Sequence, residues 1–184
     1  MRVIAGTARS INLITPKGFD TRPTTDKYKE TLFNCLQSYI GNSVFVDLFA
    51  GSGAIGIEAL SRGAAKAYFC DNSKEAVNCI KENLNKTRLS DKAVVYKEDV
   101  SFFIKNRIKE TPDIIFIDPP FKLHLEKDVI PLLDSLKLIG EDTIIVVECD
   151  YDAGFDFLDE LNLEIFKIKE YKTNKHVFIQ KKGI

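Results

Sequence analysis

Short apolar runs that stop at an acidic residue recur along this chain. Val44-Phe45-Val46 meets Asp47 before Leu48-Phe49, Ala67-Tyr68-Phe69-Cys70 meets Asp71, and Ile114-Ile115-Phe116-Ile117 meets Asp118. Runs of this length, bounded by turn residues, read as buried strands. The pattern predicts strands over 44–49, 67–71, 93–97, 113–118 and 143–149, with helices over about 53–62, 73–87, 100–110 and 124–138 between them. In helix 73–87, Ser73 is placed to cap, and Ala76, Val77, Ile80 and Leu84 form the apolar stripe. In helix 53–62, Ile55, Ala59 and Leu60 fall at core-facing spacing, Glu58 and Arg62 are expected to face water, and Gly63 stops the helix. Strand and helix in alternation signify a parallel sheet with helical crossovers. Two last strands, 164–171 and 175–181, are separated only by Lys172-Thr173-Asn174, which suggests an antiparallel hairpin closing the sheet.

The first forty or so residues differ. Arg2 to Ala5 and Ile11 to Thr15 read as a small hairpin. A helix then runs from Asp26 to about Ile40, with Tyr28, Leu32, Phe33, Leu36 and Ile40 on its apolar face, and ends at Gly41-Asn42. The expected fold class is α/β, one domain over 1–184: a mostly parallel seven-stranded sheet over 43–184, preceded by a hairpin and helix over 1–42 on the substrate side.

Candidate chemistry collects at the ends of the predicted strands. Gly51, Gly53 and Gly56 match G-x-G-x-x-G between a strand and a helix, which gives a tight turn, close backbone approach and free N–H groups at a helix start. Asp71 lies 20 residues after Gly51, where an acid accepts hydrogen bonds from ribose hydroxyls. These features alone suit either a dinucleotide or S-adenosyl-L-methionine, since both carry an adenosine ribose. Asp47, just before the turn, would repel a pyrophosphate but suits a ligand with a sulfonium and an ammonium group. Asp118-Pro119-Pro120-Phe121 points the same way. Pro119 disfavours helical geometry at Asp118, and the double proline stiffens the loop. The Asp118 carboxylate and the Pro119 carbonyl then offer two acceptors beside an aromatic ring, which suits a planar base with an exocyclic amine. The same tetrapeptide also ends strands in ordinary turns. What favours methyl transfer is the set: Asp47, Asp71, Asp99 and Asp118 all lie at or just beyond strand ends, expected to face one crevice.

Composition narrows the setting. The chain has 184 residues, 45% hydrophobic and 29% charged, as in ordinary globular proteins. No apolar run approaches the length of a membrane span, and the N-terminus lacks the apolar stretch of a secretory signal, so a cytoplasmic protein is expected. Cys35, Cys70, Cys79 and Cys149 show no C-x-x-C spacing and the histidines are only His124 and His176, so no metal site is expected. The Phe102-Phe103 pair reads as core, His124 as a solvated cap, and Lys81 to Lys86 as a solvated helix face. The net charge of −1 hides two basic ends. Arg2, Arg9, Lys17, Arg22, Lys27 and Lys29 lie near the start, and Lys167, Lys169, Lys172, Lys175, Lys181 and Lys182 near the finish. They form one phosphate-binding face only if the fold brings them together.

Several motifs together carry a family resemblance. Asp47-Leu48-Phe49-Ala50-Gly51-Ser52-Gly53 with Asp118-Pro119-Pro120-Phe121 resembles the Rossmann-like methyltransferases that act on exocyclic amines. Met1-Arg2-Val3-Ile4-Ala5-Gly6, Arg22-Pro23-Thr24-Thr25-Asp26, Glu30-Thr31-Leu32-Phe33-Asn34 and Glu58-Ala59-Leu60-Ser61-Arg62-Gly63-Ala64 extend the likeness from residue 1 to about 181. Together they resemble the RsmD family of bacterial 16S rRNA guanine-N2 methyltransferases. The resemblance implies a Rossmann-like class I methyltransferase fold, S-adenosyl-L-methionine as cofactor, and 16S rRNA, within a small-subunit assembly particle, as substrate of a monomer. It implies that Asp47, Phe49, Ala50, Gly51, Ser52 and Gly53 hold the methionine end of the cofactor, Asp71 with Asn72 the ribose, and Asp99 with Val100 the adenine. Asp118, Pro119 and Phe121 would be catalytic. Arg9, Arg22, Pro23, Thr24, Thr25, Pro120 and Phe121 would meet the substrate. The chain departs from the family in its first hairpin, where Gly6 to Asn12 keeps only Arg9, which implies weaker and less salt-sensitive RNA binding. The residues themselves also admit amine methylation of DNA adenine or protein glutamine, or a nucleotide-binding module without methyl transfer.

Overall fold

The computed structural model describes residues 1–16, 26–120 and 123–183. Its elements in chain order are α1 (Asp26–Leu36), β1 (Val44–Asp47), α2 (Ala54–Ser61), β2 (Lys66–Asp71), α3 (Lys74–Thr87), β3 (Ala93–Lys97) and α4 (Val100–Asn106). There follow β4 (Ile114–Ile117), α5 (Glu126–Ser135), β5 (Ile144–Cys149), β6 (Leu163–Glu170) and β7 (Lys175–Lys181). Short 3-10 turns at Ser90–Lys92 and Asp156–Leu161 have no counterpart in the periodicity.

The strands form one sheet in the order β3-β2-β1-β4-β5-β7-β6. β3, β2, β1, β4 and β5 run parallel, and β7 is antiparallel to both β5 and β6, as the hairpin spacing predicts. The crossover direction reverses between β1 and β4, so a crevice opens beyond their carboxyl ends. Alternate strand residues point to opposite faces. Phe45, Phe69, Phe116, Val146 and Phe178 face α1, α2 and α3, while Val46, Ile115, Ile117, Val147 and Val177 face α4 and α5. Among the described residues no helix is long and apolar enough to cross a membrane.

The N-terminal hairpin is smaller than its pattern suggests: one antiparallel bridge, Arg2 to Asn12, replaces two strands. The backbone groups that would extend the ladder are used elsewhere. Ile4 and Ala5 N–H donate to the Glu58 carboxylate at 2.8 and 3.0 Å, and Thr7 N–H donates to the Ser61 carbonyl at 2.8 Å. Gly6 sits so close that a Cβ there would fall 1.8 Å from the Ser61 oxygen.

Glu58 therefore does not face water. It and Lys29 are each 0% exposed, with Lys29 Nζ 3.1 Å from Oε2 and Arg62 Nε 2.7 Å from Oε1. Arg62 is itself largely covered, its guanidinium 4.9 Å from the Phe33 ring centroid. Burial pulls the Lys29 ammonium down, against the opposing pull of Glu58. The whole of α2 is buried between sheet and N-terminal segment, which a one-sided helical stripe cannot reveal. Two further expectations are corrected. Phe103 is core, but Phe102 is 49% exposed, because adjacent residues on a helix point in different directions. α1 and α4 stop short of the predicted ends: α1 gives way to turns closed by Tyr39 and Ser43 N–H, and Arg107 binds the Glu98 carboxylate.

Candidate active site at the carboxyl ends of the strands

The turn after β1 is shaped by glycine conformations. Gly51 and Gly53 have φ of 53° and 77°, the left-handed region that other side chains enter only with strain. Gly56 serves a different need: a Cβ there would come within 2.4 Å of the Phe69 ring, so its absence lets α2 close onto β2. Ala50 N–H donates to the Cys70 carbonyl at 3.0 Å, and the Ser52 carbonyl accepts from Asn83 Nδ2 at 2.9 Å. The buried Asn83 also exchanges hydrogen bonds of 2.9 Å with the N–H and carbonyl of Ile14, and so ties the glycine turn to the N-terminal segment. No local motif marks this residue; α3 reads as an ordinary amphipathic helix.

The carboxylates of the sequence pattern come together, each in a different state. Asp71 is half-buried. Its Oδ2 accepts from Gly51 N–H at 2.9 Å and its Oδ1 from Ser73 N–H at 2.8 Å. Asp47 lies beneath the turn, 1% exposed, and its Oδ2 accepts from Gly56 N–H at 3.2 Å. Burial pushes its carboxyl up to about 7, the Gly56 hydrogen bond opposes this, and the nearby Asp71 charge adds to it. Asp99 is exposed and caps α4, its Oδ1 accepting from Ser101 and Phe102 N–H at 2.9 and 3.2 Å. Val100 is half-buried at the start of the same helix, and Asn72 is exposed beside Asp71. Cys70 senses the whole group: burial first, then Asp71, Glu98, Asp99 and Asp47, push its thiol up to about 12. That holds the thiol protonated at neutral pH and unsuited to nucleophilic catalysis.

Asp118 follows β4 directly, half-buried, with Pro119 buried and Pro120 exposed. Burial, then the Glu148 and Asp47 charges, raise its carboxyl well above the usual carboxylate range. The Pro120 carbonyl accepts from Leu123 N–H at 3.0 Å. Phe49 is half-buried, and Arg9 is exposed on the N-terminal segment. Phe121 and Arg22, Pro23, Thr24 and Thr25 lie outside the described residues.

Glu148 is a site neighbour that the sequence pattern does not single out. It sits inside β5, where it reads as one polar residue in an apolar strand. One exposed lysine from each basic end lies near the other. Tyr28 on α1 and Tyr171 at the β6–β7 turn pack with ring centroids 4.3 Å apart, which brings exposed Lys27 to the same end of the molecule as exposed Lys172.

Known proteins are similar to this chain in sequence and in fold. The family model described as Conserved hypothetical protein 95 matches residues 1–180. The YlbH protein of Bacillus subtilis is 40% identical over 155 residues, covering 83% of this chain and 84% of its own. The ribosomal RNA small subunit methyltransferase D of Escherichia coli is 37% identical over 155 residues, covering 84% and 77%. The solved structure of the Escherichia coli yhhF protein superposes with a TM-score of 0.86 at 33% identity, covering 98% of this chain and 97% of that one.

Proposed function

The chain belongs to the ribosomal RNA small subunit methyltransferase D family, and from that premise we propose that it methylates the exocyclic N2 of a specific guanine in 16S rRNA. Its sheet is that of a Rossmann-like class I methyltransferase, and S-adenosyl-L-methionine is the methyl donor.

The residues present fit that donor. Asp71 spends one lone pair of each oxygen on a backbone N–H and keeps the others for ribose hydroxyls. A Cβ at Gly51 would meet nothing within 4 Å, so the turn is open on the side a ligand occupies. In this reading Phe49 to Gly53, with Asp47 beneath, hold the methionine end, Asp71 and Asn72 the ribose, and Asp99 and Val100 the adenine. The bound cofactor supplies an electrophilic methyl group on a sulfonium.

The observation that carries the reading is the place of Asp118. It stands at the end of β4, next to β1, where the crossover direction reverses, and within the electrostatic reach of Asp47 under the glycine turn. An amine hydrogen-bonded there lies beside the turn that holds the methyl donor. The guanine N2 lone pair is delocalised into the ring, so the amine is a weak nucleophile. The Asp118 carboxylate and Pro119 carbonyl accept its two N–H groups and turn the lone pair toward the methyl carbon. Phe121 stacks on the base, a contact worth roughly 1–3 kcal/mol in single-strand recognition. Holding nitrogen and carbon in line supplies a large part of the rate. The guanine must be unpaired or flipped out to reach the crevice. Arg9, Arg22 to Thr25 and the exposed Lys27 and Lys172 contact the surrounding RNA. The proposed enzyme is a cytoplasmic monomer acting on a small-subunit assembly particle.

The test is transfer of labelled methyl from S-adenosyl-L-methionine to small-subunit particles that lack this modification, followed by nucleoside analysis. Label in N2-methylguanosine supports the reading. Label in another nucleoside overturns the target, and no label despite cofactor binding overturns the substrate.

A further inference from the structure

Asp118 does not stand alone on its face of the sheet. β4 and β5 are parallel with Ile117 opposite Val147, so the next residues along, Asp118 and Glu148, emerge on one face. β5 and β7 are antiparallel with Glu148 opposite His176. Asp118, Glu148 and His176 thus form a lateral row across three adjoining strands. The His176 ring meets the Phe116 edge at 6.2 Å on the same face.

This row continues into a buried polar network. His176, 1% exposed, places Nε2 3.0 Å from Glu148 Oε2, while Asn174 Nδ2 donates to Oε1 at 2.5 Å. Oε1 therefore accepts, and Oε2 accepts wherever the imidazole carries a proton on Nε2. Tyr171 OH lies 2.9 Å from His176 Nδ1, and burial, then Cys35, Glu148 and Tyr28, hold the phenol proton on. A phenol that donates to Nδ1 leaves a ring proton on Nε2 for Glu148. The Glu148 carboxylate is then held in place by hydrogen bonds to Asn174 and His176. Well-packed apolar residues often replace such buried groups without loss of stability. Core packing alone therefore gives little reason for a carboxylate at this position.

We propose that Glu148 is a positioning residue for the methyl-acceptor site: clamped by His176 and Asn174, it fixes a negative charge beside Asp118 and makes Asp118 a stronger acceptor for the protons of the reacting amine. The inference rests on the reading of Asp118 given above. As N2 bonds to the methyl carbon, the carbon–sulfur bond breaks and its electron pair leaves with sulfur. The nitrogen then carries one proton too many, and Asp118 takes it. An unassisted carboxylate is a weak base for that step near neutral pH, and catalytic bases work best when matched to it. The groups facing Asp118 act in the same direction: its own burial, Glu148 from β5 and Asp47 from β1. Behind Glu148 stand His176 from β7, Asn174 and Tyr171 from the β6–β7 turn, and Tyr28 and Cys35 from α1.

The test is the rate of single-turnover methyl transfer across roughly pH 5 to 9 for Glu148→Gln, which keeps the shape and an acceptor. Loss of the neighbouring charge lets Asp118 ionise more readily. The acid limb of the profile is expected to move to lower pH and the plateau rate to fall about tenfold or more, with cofactor affinity unchanged. An acid limb that stays in place in the folded variant overturns the proposal. A second measurement needs no variant at Glu148. The side-chain carboxyl carbon resonance of Asp118 in the unaltered protein is expected to titrate above the usual carboxylate range. An Asp118 carboxyl that titrates in the usual carboxylate range overturns the proposal. This titration also separates the two readings: if the unaltered enzyme transfers no methyl to guanine, the proposed function fails while the raised Asp118 carboxyl is still tested directly.

Discussion

An acidic side chain is held out of water beneath the glycine turn. Asp47 accepts one backbone hydrogen bond and is otherwise enclosed, and its carboxyl rises from 3.8 to about 7. Between those two values the folded state holds a proton that the unfolded chain has released, so this group's contribution lowers stability as pH rises through the interval. At pH 8 the folded protein bears an ionised, desolvated carboxylate, at a cost on the order of 4 kcal/mol. Asp47→Asn is expected to melt at a higher temperature than the unaltered protein at pH 8, with the gap narrowing toward pH 5. A gap that is constant across this range, by thermal denaturation, contradicts the assignment. The motif residues at this scale are legible in the sequence because each does a local job: Gly51 and Gly53 take a left-handed backbone, and Ser73 and Asp99 cap the helices that follow them. Burial is less legible. That Asp47 lies under the turn, and that Glu148 presses on Asp118, depends on neighbours from other strands.

At the level of elements, α2 shows where a periodic reading fails. Glu58 looks like a solvent-facing position on an eight-residue helix, yet it accepts from Ile4 N–H, 54 residues away in the chain, and pairs with Lys29 and Arg62. The backbone partners come from a segment with little regular structure and Lys29 from a different helix, so the period of α2 announces neither. The alternating strands and helices of the sheet were readable because burial on both faces leaves near-continuous apolar runs. The β6–β7 hairpin was readable from its short connection. Removing one partner of a buried ion pair is costly, since the other is left uncompensated. Glu58→Gln is expected to lose roughly 3–5 kcal/mol of unfolding free energy and to loosen the N-terminal segment. Denaturant unfolding measures the first, and amide exchange at Ile4 and Ala5 the second. A loss under about 1 kcal/mol would show that the pair contributes no more than a surface salt bridge.

For the whole molecule, several basic residues of the two ends are paired with acids of the same chain: Arg2 with Asp26, Lys29 with Glu58, Lys181 with Glu141 and Lys182 with Asp159. The Tyr28–Tyr171 contact joins the N-terminal helix to the C-terminal hairpin, so exposed Lys27 and Lys172 lie at one end of the fold. If that end docks RNA, replacing exposed Lys169 and Lys172 with alanine should reduce the magnitude of the slope of log affinity against log salt, by roughly 0.7–0.9 per lost phosphate contact. The methyl-transfer rate at saturating RNA should not change. An unaltered slope would place the docking surface elsewhere.

The central claim is that Asp118 accepts the reacting amine, and Asp118→Asn tests it most directly. The variant keeps the size of the side chain and removes the charge. Its cofactor affinity, by titration calorimetry, should match the unaltered protein, while single-turnover methyl transfer to small-subunit particles should fall by about 100-fold or more, as for loss of a positioned proton acceptor. Undiminished transfer in a folded, cofactor-binding variant would contradict the account.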